Sequence, residues 1–341
     1  MNMINMVNIL LLIIVLVVLI VLWRVIRENR RLKNVIKYHQ EKVKEEFNKE
    51  RRQKKDNMTI LKHMVPNELF EVLQVKDISE ISFEKQEYVK AVKMYVNSNE
   101  FSGIVHSMEA KEIFVFINQF LNRIIPKIYE GGGIIEEFQE TGVSVLFLKE
   151  YEKAVVVAIS ICEILNELGQ KQPKYHNFSI GLCYENAIVG VVGHQKRLSL
   201  LTLLAEASGF SGWLQSMAEK YYAKILATDS YVELIEGFQR KFNVRFLGYV
   251  FIKDTNSMKK IYDIFDGDEK SVRNRKRQTK MAFEKGVNLF TEQQYQEARQ
   301  YFIEVLKTDR FDKAAREYVY RCELYQKETT ETKEVYIECY G

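Results

Sequence analysis

The chain has 341 residues and a formal net charge of only +4, from 50 basic and 46 acidic side chains. Nucleic-acid binding usually depends on a strongly basic surface, so this balance gives it no support. The four cysteines are scattered and form no CxxC pair, a pattern that favours free thiols in a reducing compartment over a disulfide framework or a zinc site.

The N-terminal run is uncharged from Ile4 to Trp23 and is rich in Leu, Ile and Val. About 20 apolar helical residues cross a hydrocarbon core of ~30 Å, so we predict a transmembrane helix over residues 4–26. A cleaved signal peptide is the alternative, but no basic residue precedes the run and no small-residue cleavage site follows it. Arg24 and Arg27 open a basic flank. They predict a single-pass protein of the cell (inner) membrane, with the N-terminus outside and the bulk in the cytoplasm.

Residues 27–56 are strongly charged and contain neither Gly nor Pro. Their apolar or semi-apolar positions recur at spacings of four and three, which favours a coiled-coil stalk that would pair two copies of the chain. A single solvated charged helix remains the alternative. The positions concerned are Leu32, Ile36, His39, Val43 and Phe47.

Strand and helix patterns alternate between residues 64 and 268. Helices in this order, with hairpins and mixed strands between them, predict an α+β sandwich in which helices pack on one antiparallel-rich sheet. The expected helices cover residues 67–75, 108–129, 152–168, 207–222 and 228–235. The expected strands cover residues 89–97, 134–137, 144–148, 178–184, 187–192, 224–227, 244–247 and 260–265, with 178–184 and 187–192 forming a hairpin.

The remaining sequence is helical in pattern. Residues 269–280 have the composition of a solvated basic linker or the start of a helix, and residues 281–326 contain three helical stretches. Gly286, Ala298 and Phe302 have the small, small, aromatic spacing of a TPR unit. A single unit cannot bury its own apolar face, so we expect it to lean on the third helix or the preceding domain and to bind a protein partner. The tail, 327–341, shows no packing pattern.

Several stretches of residues 64–268 resemble, in collinear order, the catalytic domain of the class III adenylate/guanylate cyclases. VKMYVNSNEFSGI resembles the family's first strand, TVLFSDIRSFT. GGGIIEEFQETGVSVLF resembles the turn and hairpin written DKYIGDAIMALF, and IGLCYENAIVGVVGHQKR resembles IGIxTGxxxxGxxGxxxR. With its TPR-like tail, the chain resembles the bacterial, spirochaete-like type of this family. This resemblance implies a ferredoxin-like-type sandwich, ATP or GTP as substrate and Mg²⁺ or Mn²⁺ as cofactor.

The resemblance places the family's functional positions on residues that differ from the family pattern. Its two metal-binding Asp residues fall at Asn97 and Thr141, and neutral oxygens lose most of the attraction to a hard cation. The base-recognising Lys falls at Glu137, a reversal of charge. The base-recognising Asp falls at Glu206, where a carboxylate remains.

Two further positions belong to catalysis in the family. The Asn that orients the ribose falls at Gly209, and the Arg that stabilises charge in the transition state falls at Trp213. Losing one such preorganised donor typically costs ~3 kcal/mol or more. In the family each site lies between two chains, and this sequence has lost residues of both halves.

The sequence therefore predicts an inactive family member that needs no cofactor. It would act as a membrane-anchored homodimer, a signalling or scaffold module with a protein partner on its tail. Two alternatives remain: a nucleotide sensor that binds without turnover, and an active cyclase with non-standard metal ligands. The second alternative requires Mg²⁺ or Mn²⁺ with ATP or GTP.

Overall fold

The computed structural model describes residues 67–76, 80, 85–98, 108–139, 142–171, 178–194, 197–204, 209–327 and 336–340, besides isolated positions between 23 and 49. Met1–Val65 forms one unit, and Pro66–Gly341 forms a second, which contains every element named below. The predicted transmembrane helix and stalk lie almost entirely outside the described residues. Within those residues, no helix combines the length and apolarity that a membrane span requires.

Helices and strands alternate through the second unit up to residue 264, and three long helices follow. The helices are α1 (Asn67–Val72), α2 (Ala110–Glu130), α3 (Glu152–Lys171), α4 (Phe210–Lys220), α5 (Asp229–Leu234), α6 (Phe238–Lys241), α7 (Lys270–Thr291), α8 (Tyr295–Thr308) and α9 (Lys313–Lys327). The strands are β1 (Gln86–Asn97), β2 (Ile134–Phe138), β3 (Val143–Phe147), β4 (Ser179–His194), β5 (Arg197–Leu204), β6 (Ile225–Thr228), β7 (Val244–Ile252), β8 (Ser257–Ile264) and β9 (Glu338–Tyr340).

All of these strands belong to one sheet in the order β2-β3-β1-β4-β6-β8-β7-β9, with β5 paired to β4 outside that path. The β4–β6 and β7–β9 pairs are parallel, and the other pairs are antiparallel. The predicted α+β class with an antiparallel-rich sheet is therefore confirmed.

Apolar side chains cover both faces of the sheet, because neighbouring residues of a strand point to opposite sides. Along β1, Val92 and Met94 join a core that includes buried residues of α2 and α3. Ala91 joins a second core that includes residues of α4 and of the helices α7, α8 and α9. The three last helices therefore help to bury the sheet, together with α4.

The structure differs from the prediction in β4, which runs unbroken from Ser179 to His194 in place of the expected hairpin. Glu185 and Asn186 look like turn residues in the sequence. Both instead pair with β1, and Glu185 is buried beside Lys259 of β8, with the carboxylate oxygen 3.2 Å from the ammonium nitrogen. The chain reverses only after His194 to form β5, which the sequence did not predict.

Residues 269–280 were expected to form a basic linker or the start of a helix; Glu269 caps α7 and residues 270–280 form its first half. Lys276 is buried there and its Nζ lies 2.8 Å from Asp263 and 2.7 Å from Asp268. The basic charge of this segment is therefore partly neutralised inside the fold, by acids that precede it in the sequence.

Two further contacts join the last helices to the sheet. The Arg245 guanidinium of β7 lies 2.9 Å from Asp263 and 2.5 Å from Asp312, at the start of α9. Tyr318 of α9 donates a hydrogen bond of 2.8 Å to the carbonyl of Leu247. These helices thus pack on the preceding domain, as the sequence led us to expect.

The three residues that suggested a TPR unit also contact one another or their neighbours. Gly286, Ala298 and Phe302 are all buried. A Cβ on Gly286 would lie 2.9 Å from the Phe302 ring, which stacks on Tyr318 at a centroid distance of 4.6 Å. The small residue thus allows α7 and α8 to approach closely. A TPR-like role for these helices remains a proposal.

Candidate functional site

A polar cleft of about 340 Å³ lies where the end of β1, the β2–β3 hairpin and the start of α4 meet. Four of the six positions that the resemblance singled out line this cleft. They are Asn97, Glu137, Gly209 and Trp213. The other two, Thr141 and Glu206, lie outside the described residues.

Asn97 ends β1 directly beside the β2–β3 turn. The preceding residue, Val96, pairs with Val143 at the start of β3. Gln139 and Gly142 close the turn with N–H to carbonyl bonds of 2.9 and 3.2 Å. A Cβ on Gly142 would lie 3.2 Å from the Asn97 side-chain carbon Cγ. The two segments that would carry the metal ligands in the family are therefore adjacent here too.

The opposite wall is formed by α4, which starts at a left-handed glycine. Gly209 has φ +83° and precedes the first helical residue, Phe210. The Trp213 ring lies 5.4 Å from the Phe210 ring and 5.2 Å from the Tyr340 ring of β9, measured between centroids. An aromatic cluster thus occupies the position to which the resemblance assigns the Arg that stabilises charge in the transition state.

No family model matches the chain. The sequence is 24% identical over 230 residues, 65% of this chain, to the terminal-differentiation specific adenylate cyclase of Dictyostelium discoideum, of which it spans only 11%. It is 22% identical over 188 residues, 52% of this chain, to an adenylate cyclase of Anabaena cylindrica, of which it spans 37%. The fold matches a bacterial light-regulated adenylyl cyclase with a TM-score of 0.55 at 15% identity, over 64% of each chain.

The chain is similar in sequence to adenylate cyclases, and it shares the fold of the class III adenylate/guanylate cyclase catalytic domain.

Cyclases of this family use divalent ions, and the donor set of this cleft does not fit them. Asn97 offers a neutral amide. The Glu137 carboxylate lies at the outer edge, 3.5 Å from the side-chain nitrogen of Gln139. Among the described residues, no three His, Cys, Asp or Glu side chains come together as a metal-binding group. Mg²⁺ and Ca²⁺ sites are built from several oxygen ligands that include carboxylates, so the described residues of this wall do not supply the charge that a pair of such ions needs.

Glu136 does not supply the missing charge. Its side chain is only 7% exposed, and its carboxylate lies 2.9 Å from the Lys93 ammonium. Ser144 donates a further hydrogen bond of 2.7 Å to the same carboxylate. A register shift in β2 between Ile135 and Glu137 accompanies this inward position.

Gln215 of α4 is a residue of the cleft that sequence reasoning missed. Its side chain is fully buried, and its Nε2 donates to the Asn97 carbonyl at 3.1 Å and to Ser179 Oγ at 2.9 Å. It therefore ties α4 to the ends of β1 and β4. The sequence does contain a signal for this role. Gln215 is a polar residue on the apolar side of the predicted helix, next to Leu214 and three residues before Ala218.

Tyr95 is the second missed residue. Its hydroxyl donates a hydrogen bond to the side-chain carbonyl of Gln139, across the mouth of the hairpin. Burial raises the pKa of Tyr95, and the nearby Glu137 carboxylate raises it further. The phenol therefore stays protonated at neutral pH and acts as a donor that holds the hairpin.

Proposed function

We propose that this chain is a catalytically inactive class III cyclase-like protein that works as a dimerising signalling or scaffold module. The single observation that carries the proposal is the state of the cleft at the family's positions. Asn97 presents a neutral amide beside the hairpin turn, and Trp213 is packed into an aromatic cluster. Neither side chain can do the work of the Asp or Arg that it replaces.

The charge distribution of the cleft supports the same conclusion. Of the described residues that line it, Lys93 alone is cationic, and it is already paired with Glu136. Glu137 adds a negative charge where the family has a Lys. A nucleoside triphosphate would enter this cleft without its metal ions and without a free cation to neutralise its phosphates, so binding for turnover is disfavoured.

The anchoring and pairing parts of the proposal rest on the sequence and on the family. The apolar run of residues 4–26 would tether the chain to the inner face of the membrane, and the stalk would pair two copies. The helices α7–α9 would dock a protein partner through exposed apolar side chains such as Tyr320, which is 61% exposed.

A cyclase assay tests the proposal. The full chain, in detergent with Mn²⁺ and either ATP or GTP, should form no cyclic nucleotide above a blank without protein. A family member with its catalytic residues intact serves as the positive control. Turnover that disappears in the Thr141→Ala variant would contradict the proposal, because it would show an active site built on replaced ligands.

A nucleotide sensor is the second candidate, and the retained cleft of about 340 Å³ is the observation that favours it. Calorimetric titration with ATP, GTP and the cyclic nucleotides separates the two functions. Saturable binding that is weakened by Trp213→Ala would favour the sensor, whereas the scaffold proposal expects no heat of binding.

A further inference from the structure

The segment 336–340 forms a strand although its sequence showed no packing pattern. It pairs in parallel with the edge strand β7, with Val250, Phe251 and Ile252 opposite residues 338–340. Ile337 N–H donates to the Tyr249 carbonyl at 2.7 Å, and Lys253 N–H donates to the Tyr340 carbonyl at 2.9 Å. This is the hydrogen-bond pattern by which an extended peptide adds a strand to a sheet edge.

Three apolar side chains of the segment make defined contacts. The Ile337 side chain is fully buried and lies beside Gly248, where a Cβ would be 3.4 Å from its methyl carbon. Tyr336 stacks on Phe251 at a centroid distance of 5.5 Å. Tyr340 packs edge-on against Phe210 and Trp213, each at 5.2 Å.

The charge of the segment is complemented as well. The Glu338 carboxylate accepts a hydrogen bond of 2.6 Å from the Tyr221 hydroxyl. It also forms an ion pair with Lys220 and lies 3.9 Å from the Arg321 guanidinium. Two cations, from α4 and α9, and the phenol of Tyr221, directly after α4, thus converge on one acidic position.

We propose that β7, α4 and α9 form a peptide-binding groove, and that residues 336–340 occupy it as a tethered ligand. The groove fits an extended five-residue segment with an aliphatic residue second, an acidic residue third and an aromatic residue fifth. While it is occupied, Tyr340 covers the Trp213 face of α4. The role of the segment rests on the proposed function. In the family, two chains pair across the Gly209 and Trp213 positions, so the bound segment would cover part of that pairing surface.

Fluorescence tests the groove directly, because Trp213 is one of only two tryptophans. In the full chain with Trp23→Phe, the emission reports on Trp213 alone. Shortening this chain to end at Thr332 should shift the emission to longer wavelength, since Tyr340 no longer covers the ring. Adding a peptide of residues 333–341 with Cys339→Ser should reverse the shift saturably. The same peptide with Ile337→Asp should bind about tenfold more weakly or not at all, because a carboxylate would enter the buried site.

A charge exchange in the full-length chain serves as a control, in case the shortened chain misfolds. Glu338→Lys should give the same shift to longer wavelength, and adding Lys220→Glu should restore the original emission. The groove is rejected if neither the shortening nor Glu338→Lys changes the emission wavelength. It is also rejected if the Ile337→Asp peptide binds as well as the native one. These readouts do not depend on cyclase activity, so failure of the proposed function would be seen separately in the cyclase assay.

Discussion

Buried charged residues show how single side chains set the properties of this fold. Burial alone would raise the pKa of Asp312, but the Arg245 guanidinium and the N–H of Ala315 outweigh it and hold that pKa below its usual range. Asp268 behaves in the opposite way. Burial raises its pKa, the Lys276 ammonium lowers it, and the nearby Asp263 raises it again, so its pKa lies above the usual range.

These opposite shifts predict a defined pH dependence for the Asp312→Asn variant. A depressed pKa stabilises the fold above the unfolded-state value of about 3.9, and this contribution is lost as the pH falls through the folded-state pKa. Breaking this buried pair should lower the free energy of unfolding by about 3–5 kcal/mol at pH 7. Urea denaturation at several pH values measures the free energy of unfolding. The difference in this free energy between the variant and the native chain should shrink below pH ~4.

Asp268 provides the control for that experiment. Its raised pKa contributes stability that is greatest at low pH and declines as the pH rises through the folded-state value. Asp268→Asn should therefore give a difference from the native chain that changes with pH in the opposite direction. A stability difference for Asp312→Asn that stays constant from pH 7 to pH 3 would contradict the assignment of its pKa.

At the scale of elements, the close approach of α4 to the sheet depends on one glycine. A Cβ on Gly181 of β4 would lie 2.2 Å from the Ser211 carbonyl oxygen and 2.8 Å from the Gln215 nitrogen. The missing side chain lets the start of α4 lie directly on β4. This contact places both Trp213 and Gln215 in the wall of the cleft.

Gly181→Ala should therefore destabilise the fold by overpacking, by about 1–3 kcal/mol. Gly190 is a matched control in the same strand, because a Cβ there would meet its nearest neighbour, Gln86, at 3.4 Å. Gly190→Ala should change the free energy of unfolding by less than about 1 kcal/mol. Equal losses for the two variants, measured by urea denaturation, would show that the helix does not rely on this close contact.

The elements that the sequence predicted well are those with a strong local pattern. The helix expected over residues 108–129 is α2, Ala110–Glu130, because its apolar residues repeat at helical spacing. The elements that it missed depend on distant partners. Glu185 remains in a strand because Lys259 neutralises its charge. Lys276, in the basic half of α7, is buried because it forms ion pairs with Asp263 and Asp268.

The candidate site divides in the same way. The resemblance singled out Asn97, Glu137, Gly209 and Trp213, and these four residues line one cleft. It could do so because collinear segments fix the register of the strands. It gave no sign of Tyr340, which reaches the cleft from the far end of the sequence. Contacts between a terminal strand and a central helix leave no periodicity in either segment, so no local pattern predicts them.

At the scale of the whole molecule, the proposed membrane anchor is a separate prediction. A charged residue near the centre of a transmembrane helix costs about 2.5–3.5 kcal/mol on insertion scales. The double variant Leu11→Arg and Leu16→Arg should therefore move the full chain from the membrane pellet to the supernatant after alkaline carbonate extraction. The double Ala variant at the same positions should stay in the pellet. Release of the native chain by carbonate would contradict the anchor.

Binding of Mn²⁺ tests most directly whether this cleft has lost the metal chemistry of the cyclases that the chain resembles. Electron paramagnetic resonance of the full chain titrated with Mn²⁺ should show the spectrum of the free ion. The Asn97→Asp and Thr141→Asp double variant should take up the ion and reduce that signal. Saturable Mn²⁺ binding by the native chain that is lost in Asn97→Ala would contradict the account.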